Sequence, residues 1–214
     1  MPRGESRLRR ALRSAVSGLV LGGGLGLIVS LLPAGHPPAP RLAQAATGQE
    51  APAQAGEDFA YLAERRLLLP VEGVAPAALR DTFNQGRDAG TRPHEALDIP
   101  APRGTPVFAV DDGRLVKLFT SVPGGLTLYQ FDPGSRYAYY YAHLDRYAQG
   151  LHEGAQLQRG DVVGYVGTTG NASADAPHLH FAIFRLGAER QWWKGEAVNP
   201  YPLLSPAQPV PRKP

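Results

Sequence analysis

The chain has 214 residues and not one cysteine. That excludes a disulfide framework and any thiolate metal site, so a metal held here would need His, Asp or Glu as ligands. Basic charge is also missing from most of the chain. The whole carries +3, but residues 1–45 hold six Arg against Glu5 alone, a net of +5, which leaves −2 on the remainder. The body therefore lacks the basic footprint of a nucleic-acid binder. No internal repeat is visible. Beyond residue 70 no run of helical period separates the strand-like segments, which argues against a parallel βαβ sheet.

The N-terminus reads as an export segment. Arg-rich residues 1–13 precede AVSGLVLGGGLGLIVSLL at 15–32, an uncharged apolar run that ends before Pro33. Its five glycines make poor soluble helix. Ala43-Gln44-Ala45 has the small-x-small form of a signal-peptidase site, which points to a cleaved leader. The run is also just long enough to span a bilayer, and a retained anchor stays open. In either case Arg on the N-terminal side keeps that end cytoplasmic and places the body outside.

Residues 33–56, rich in Pro, Ala, Gly and Gln, read as a tether. In EDFAYLAERRLLL, residues 57–69, Phe59, Leu62, Ala63, Arg66 and Leu67 fall at helical spacing. A short helix is expected there, capped by Asp58 and ended by Pro70. Short runs rich in Val, Tyr, Phe and Thr follow, divided by Gly, Pro and Asp turns: TPVFAV, GRLVKLF, LTLYQF, YAYYYAHL, DVVGYVG and HLHFAIFRL. The expected fold class is all-β, an antiparallel β-sandwich or small barrel with a short N-terminal helix. The division expected is a leader or anchor over 1–45, a linker over 46–56, a folded domain over 57–204 and a disordered tail over 205–214.

Chemistry concentrates in the histidines. His36 in the tether and His152 in LHEG read as solvated surface residues. His178 and His180 flank Leu179. In a strand, residues i and i+2 share a face with Cα atoms roughly 6.6–6.8 Å apart. Both imidazoles can then address one site while Leu179, Phe181 and Ile183 enter the core. An exposed strand end without a metal has the same H-x-H pattern, so this spacing leaves both readings open.

The segment PHEALDIPAPRGTPV at 93–107 superficially has the start of a helical zinc-protease motif, but its last position is Asp98. Pro93, Pro100 and Pro102 exclude a helix, since Pro inside one costs about 3 kcal/mol. In a straight strand His94 and Asp98 would stand roughly 13 Å apart. To share an ion the chain must bend between them, with His94 on a loop and Asp98 at a strand start. An exposed turn histidine beside an ordinary Asp would also fit. His143 lies near the end of YAYYYAHLDRY, whose tyrosines read as packing residues. Tyr139 and Tyr141 share its parity, so they are read as core or as lining of its cleft.

Taken in order, the chain shows H-x-x-x-D with I-x-A-P-x-G-T-P-V, then Y-A-H-L, then G-x-x-G-N leading into P-H-L-H-F. Over roughly residues 70–204 it resembles the LytM/lysostaphin-type zinc metallopeptidases, enzymes of the duplicated hybrid motif fold that cut peptide bonds in bacterial peptidoglycan. It is similar in particular to members that carry an N-terminal export segment and a single such domain. The resemblance implies one Zn²⁺ held by His94, Asp98 and His180, with a water in the open position. It implies His143 and His178 as non-ligand catalytic histidines, one taking a proton from that water and one donating to the oxyanion; His178 is the expected base. The implied partner is the stem peptides and crosslinks of peptidoglycan, in the periplasm or at the outer face of the inner membrane. Many members have Gly where this chain has Ala96, a departure that bears on loop geometry and adds no competing ligand.

Two other readings remain. One is a non-catalytic envelope scaffold on the same fold that regulates another wall hydrolase, against which the complete ligand set weighs. The other is a carbohydrate-binding β domain using the tyrosines and Trp192-Trp193 as stacking platforms, which leaves the histidines unexplained.

Overall fold

The computed structural model describes residues 52–87 and 90–205. The expected export segment, the start of the linker and the tail beyond Ser205 lie outside the described residues. Among the described residues no helix is long and apolar enough to cross a membrane.

Helix α1 spans Pro52–Arg65. It starts before the expected Glu57, so Asp58 is not its cap. Asp58, Tyr61, Leu62 and Arg65 share one helical face, and that face docks on the sheet. Asp58 is buried and accepts hydrogen bonds from the Tyr137 hydroxyl at 2.6 Å and from Arg185. The Tyr61 hydroxyl donates to Asp132 at 2.8 Å, and Arg65 makes two bonds of 2.8 Å to Asp111. The acid that resembled a cap is an anchor. The helix also stops short of Pro70, because Arg66 turns the backbone to φ 51°.

A short 3₁₀ turn, Pro76–Ala78, leads to the ribbon of β1 (Gly86–Arg87) and β2 (Arg92–Pro93). Next come β3 (Leu97–Pro100), β4 (Pro106–Phe108), β5 (Gly113–Ser121), β6 (Gly125–Phe131) and β7 (Tyr137–Tyr147). Then follow β8 (Gln156–Leu157), β9 (Val162–Val166), β10 (His178–Leu186), β11 (Gly195–Val198) and a last helical turn, α2 (Tyr201–Leu204). All the long strands coincide with expected runs. The additional β1, β2, β8 and β11 are too short for alternation to mark them.

Every pairing is antiparallel. Nine strands form one branched sheet in the order β11-β10-β7-β6-β5-β8, with β3 beside β10 and the β4–β9 pair joined to β7. The expected all-β class thus takes the form of an antiparallel, branched sheet with a short N-terminal helix. The cause lies in β7, which pairs with β10 through Tyr137–Ala142 and with β9 through Leu144–Tyr147. One long strand serves both branches.

The main core contains Tyr137, Tyr139, Tyr141 and Leu144 of β7 together with Leu179, Phe181 and Ile183 of β10, all fully buried. The alternate residues Tyr140, Ala142 and Ala182 join Ala96 and Tyr129 in a second cluster. Trp192, from the β10–β11 connection, packs on Tyr129 with ring centroids 5.0 Å apart. This second face carries the histidines.

Candidate metal centre

Register explains how distant residues meet. β10 lies between β3 and β7, with His180 directly opposite Asp98 on one side and Ala142 on the other. Directly opposed residues of an antiparallel pair point to the same face with Cβ atoms about 4.5–5.5 Å apart. His94 follows β2, and the chain turns at Glu95, where φ is 57°. This is the bend the spacing demanded, with His94 from a loop and Asp98 from a strand. The positive φ falls on Glu95 and not on Ala96, whose methyl is fully buried in the second cluster. Glycine is therefore not required at 96.

Three atoms converge. His94 Nε2 lies 3.0 Å from His180 Nδ1 and 3.0 Å from Asp98 Oδ1, and the last two are 3.1 Å apart. His94 Nδ1 faces the Thr82 carbonyl at 3.0 Å. A carbonyl only accepts, so Nδ1 carries the proton and Nε2 offers a lone pair. With neutral imidazoles, only His180 can place a hydrogen among the three atoms. Such a set of acceptors fits a cation. Ligands 2.0–2.1 Å from a tetrahedral zinc stand about 3.3 Å apart, close to the edges of this triangle. Among the described residues this is the one His/Asp/Glu group that meets the geometry of a metal site.

The electrostatics agree. Burial alone would push the Asp98 carboxyl up, but the His180 and His94 rings beside it hold it well below the usual carboxylate range. Burial lowers His180, against the pull of Asp98. Both ligands thus stay in the deprotonated forms that a metal requires.

His143 reaches the site through a bulge. Tyr141 and Leu144 both enter the main core, so the strand spends an extra residue between them. His143 takes φ 59°, and the β6–β7 register slips by one residue across this region. Tyr139 and Tyr141 are core residues, as their packing role expected. The alternative that they line the cleft of His143 fails, because simple parity does not hold across the bulge. The ring of His143 instead lies 4.9 Å from that of His178 and 5.5 Å from that of His180. Tyr140, of opposite parity, is the tyrosine near the site, 6.0 Å from the His180 ring.

The two further histidines share one device. His143 Nδ1 donates to the Thr169 carbonyl and His178 Nδ1 to the Ala176 carbonyl, each at 2.8 Å. Each neutral ring therefore presents an Nε2 lone pair. His178 Nε2 lies 3.8 Å from Asp98 Oδ1. Burial, aided by neighbouring His180, pushes His143 down to about 4. Thr169 is itself placed by the close approach of the β5–β6 turn: a Cβ on Gly125 would collide with its hydroxyl, and one on Gly170 would collide with the Gly125 backbone.

The structure thus gathers all five expected residues, His94, Asp98, His143, His178 and His180, at one place. The motif reading missed the residues that support them. The buried Thr82 bonds both ends of H-x-x-x-D: its carbonyl orients His94 and its hydroxyl accepts from the Asp98 N–H at 3.0 Å. Arg87 bonds the other oxygen of Asp98. No spacing rule connects either to the motif; only the quoted G-x-x-G-N loop hinted at Thr169.

Comparison with known proteins follows the same outline. The family model of peptidase family M23 matches residues 92–200. The L-Ala--D-Glu endopeptidase of Bacillus subtilis is 30% identical over 149 residues, covering 67% of this chain and 44% of that protein. The DD-carboxypeptidase/endopeptidase Mpg of Neisseria meningitidis serogroup B is 36% identical over 116 residues, covering 54% of this chain and 24% of that protein. The chain spans less than half the length of either. The crystal structure of a lytM protein from Ruminococcus gnavus superposes with a TM-score of 0.53 at 25% identity, covering 73% of this chain and 72% of that one.

Proposed function

The chain belongs to peptidase family M23, with a LytM/lysostaphin-like domain, and from that premise we propose that it is a zinc-dependent endopeptidase that hydrolyses peptide crosslinks of bacterial peptidoglycan. The observation that carries the reading is the triangle of His94, Asp98 and His180 beside two further histidines, His178 with Nε2 3.8 Å from Asp98 and His143 with its ring 5.5 Å from that of His180. His94, Asp98 and His180 would hold the ion. Bound zinc supplies a water of pKa near 7 and polarisation of the scissile carbonyl.

His178 takes the proton from the attacking water. Its Nδ1 is fixed on Ala176, and its Nε2, 3.8 Å from Asp98 Oδ1, is free to take the proton and carry the positive charge as an imidazolium. Burial opposes the same charge on His143. His143 donates from Nε2 only after that nitrogen takes one proton from water as negative charge develops on the substrate oxygen beside it. It returns the proton when the intermediate collapses; the contact is thus made when it is worth most. Such an enzyme works outside the cytoplasm, where the wall is, with residues 1–45 as leader or anchor and 57–204 as the catalytic domain.

The test is incubation of the purified full chain with sacculi, with and without zinc, followed by mass analysis of the released peptides. Zinc-dependent release of newly cleaved crosslinks is the expected result. Sacculi left intact by a zinc-loaded, folded protein would rule the reading out in favour of a scaffold.

A further inference from the structure

The two oxygens of Asp98 have different partners. Oδ1 belongs to the triangle with His94 and His180. Oδ2 accepts from Arg87 Nη2. Arg87 closes β1 and pairs with Arg92 of β2, the strand that runs straight into His94. One short ribbon therefore delivers a ligand to one side of Asp98 and a guanidinium to the other. The guanidinium sits at the rim of the site, with its side chain 36% exposed against 19% for Asp98.

A carboxylate beside a divalent ion can bind through one oxygen or through both. Binding through both would use the position that a catalytic site keeps open for water or substrate. We propose that Arg87 is a positioning residue that holds Asp98 as a single-oxygen ligand and so keeps that position free. It acts through Asp98 and does not touch the reacting atoms. Its donor occupies the outer oxygen, and the Thr82 hydroxyl, which accepts from the Asp98 N–H, holds the backbone end of the same residue. Asp98 is thus held at its backbone and at its carboxylate. Repulsion between the guanidinium and the ion acts against this, but a half-exposed charge is screened by water. Loss of a hydrogen bond behind a metal ligand usually costs about 10–100-fold in metal affinity. Orientation is the larger effect.

This inference rests on the ligand set proposed above, and the experiment separates the two. Full-length wild-type, Arg87→Ala, Arg87→Lys and His94→Ala proteins are compared by chelator competition for zinc, by the visible absorption of their cobalt(II) forms and by metal-free thermal melting. Arg87→Ala is expected to lose about 10–100-fold in zinc affinity. It should still bind cobalt, with weaker visible bands as the coordination number rises. Arg87→Lys, which keeps a cationic donor, should recover part of both and carries the test if the alanine protein melts early. Unchanged zinc affinity and an unchanged cobalt spectrum in Arg87→Ala overturn the role. So does a rise in KM with both metal readouts intact, which would make Arg87 a substrate contact. Wild-type metal binding that survives His94→Ala would instead defeat the ligand assignment.

Discussion

The buried carboxylates beneath α1 and the carboxylate at the histidine centre keep different company. Asp111 accepts from Arg65 and from the Tyr139 hydroxyl, and Asp132 from Tyr61 and the backbone N–H groups of Gly134, Arg136 and Tyr137. Asp58 accepts from Tyr137 and Arg185. Each buried acceptor there has a donor, as a structural network requires. At the other cluster Asp98 Oδ1 meets the lone pair of His94 and the ring of His180, with at most one hydrogen among the three. Both regions are rich in charge and aromatic rings, so residue composition does not distinguish them. Donor accounting does: a matched cluster holds a helix, and an unmatched one invites a cation.

The sharpest way to break the contrast is to remove ligands. His94→Ala or His180→Ala should abolish both zinc binding and wall hydrolysis, whereas His178→Ala should keep zinc and lose about 10²–10⁴-fold in rate. Zinc content together with muropeptide release checks this, and a His178→Ala protein of full activity would remove the proposed base.

On the matched side, Asp111→Ala strands the Tyr139 hydroxyl in the core and deprives Arg65 of its partner. We expect a loss of roughly 3 kcal/mol in urea unfolding, with zinc stoichiometry unchanged. A fall in zinc content would show that the two clusters are coupled.

Chelation sharpens the comparison from the metal side. Stripping zinc held at a hundredfold excess over its Kd should cost about 2.7 kcal/mol, read as a lower Tm. The Asp111→Ala deficit should persist unchanged on top of it. Non-additive shifts would again indicate coupling.

The smallest effect concerns pH. Burial first, then His180, holds His143 down to about 4 against an ordinary 6.5. The unfolded chain therefore takes up this proton before the folded one does. The zinc-free protein should keep the contribution above pH 6.5 and lose it as pH falls toward about 4. In His143→Gln that limb should flatten in urea midpoints measured across the window; an unaltered limb would assign it to other groups.

Much of this was legible from the residues. Alternation and turn chemistry marked every long strand, because half-buried sheet imposes a period of two. The Pro-crowded H-x-x-x-D segment required a bend, and the structure makes one at Glu95. H-x-H placed His178 and His180 on one face, and Leu179, Phe181 and Ile183 went to the core as parity demands. Parity failed at His143, since nothing in YAYYYAHLDRY marks where a bulge will fall. Only the cleft-lining alternative for Tyr139 and Tyr141 fell for that reason; their role as packing residues held. Asp58 looked like a helix cap because local sequence does not reveal Tyr137 and Arg185, which lie far along the chain.

The sequence by itself determined which chemistry was available: no thiolate, four histidines and an aspartate in ordered motifs, and strands whose period was already written in their side chains. Those are local properties, set by residue type and by the backbone's short repeat. Only the tertiary structure decided which nitrogen of His94 and of His143 is left free, because backbone carbonyls of Thr82 and Thr169, far along the chain, fix their protons, while His178 is fixed locally by Ala176. It also decided that Arg87 stands behind Asp98. Such contacts arise from strand register and from a single inserted residue in β7, and register is settled by packing across the whole sheet.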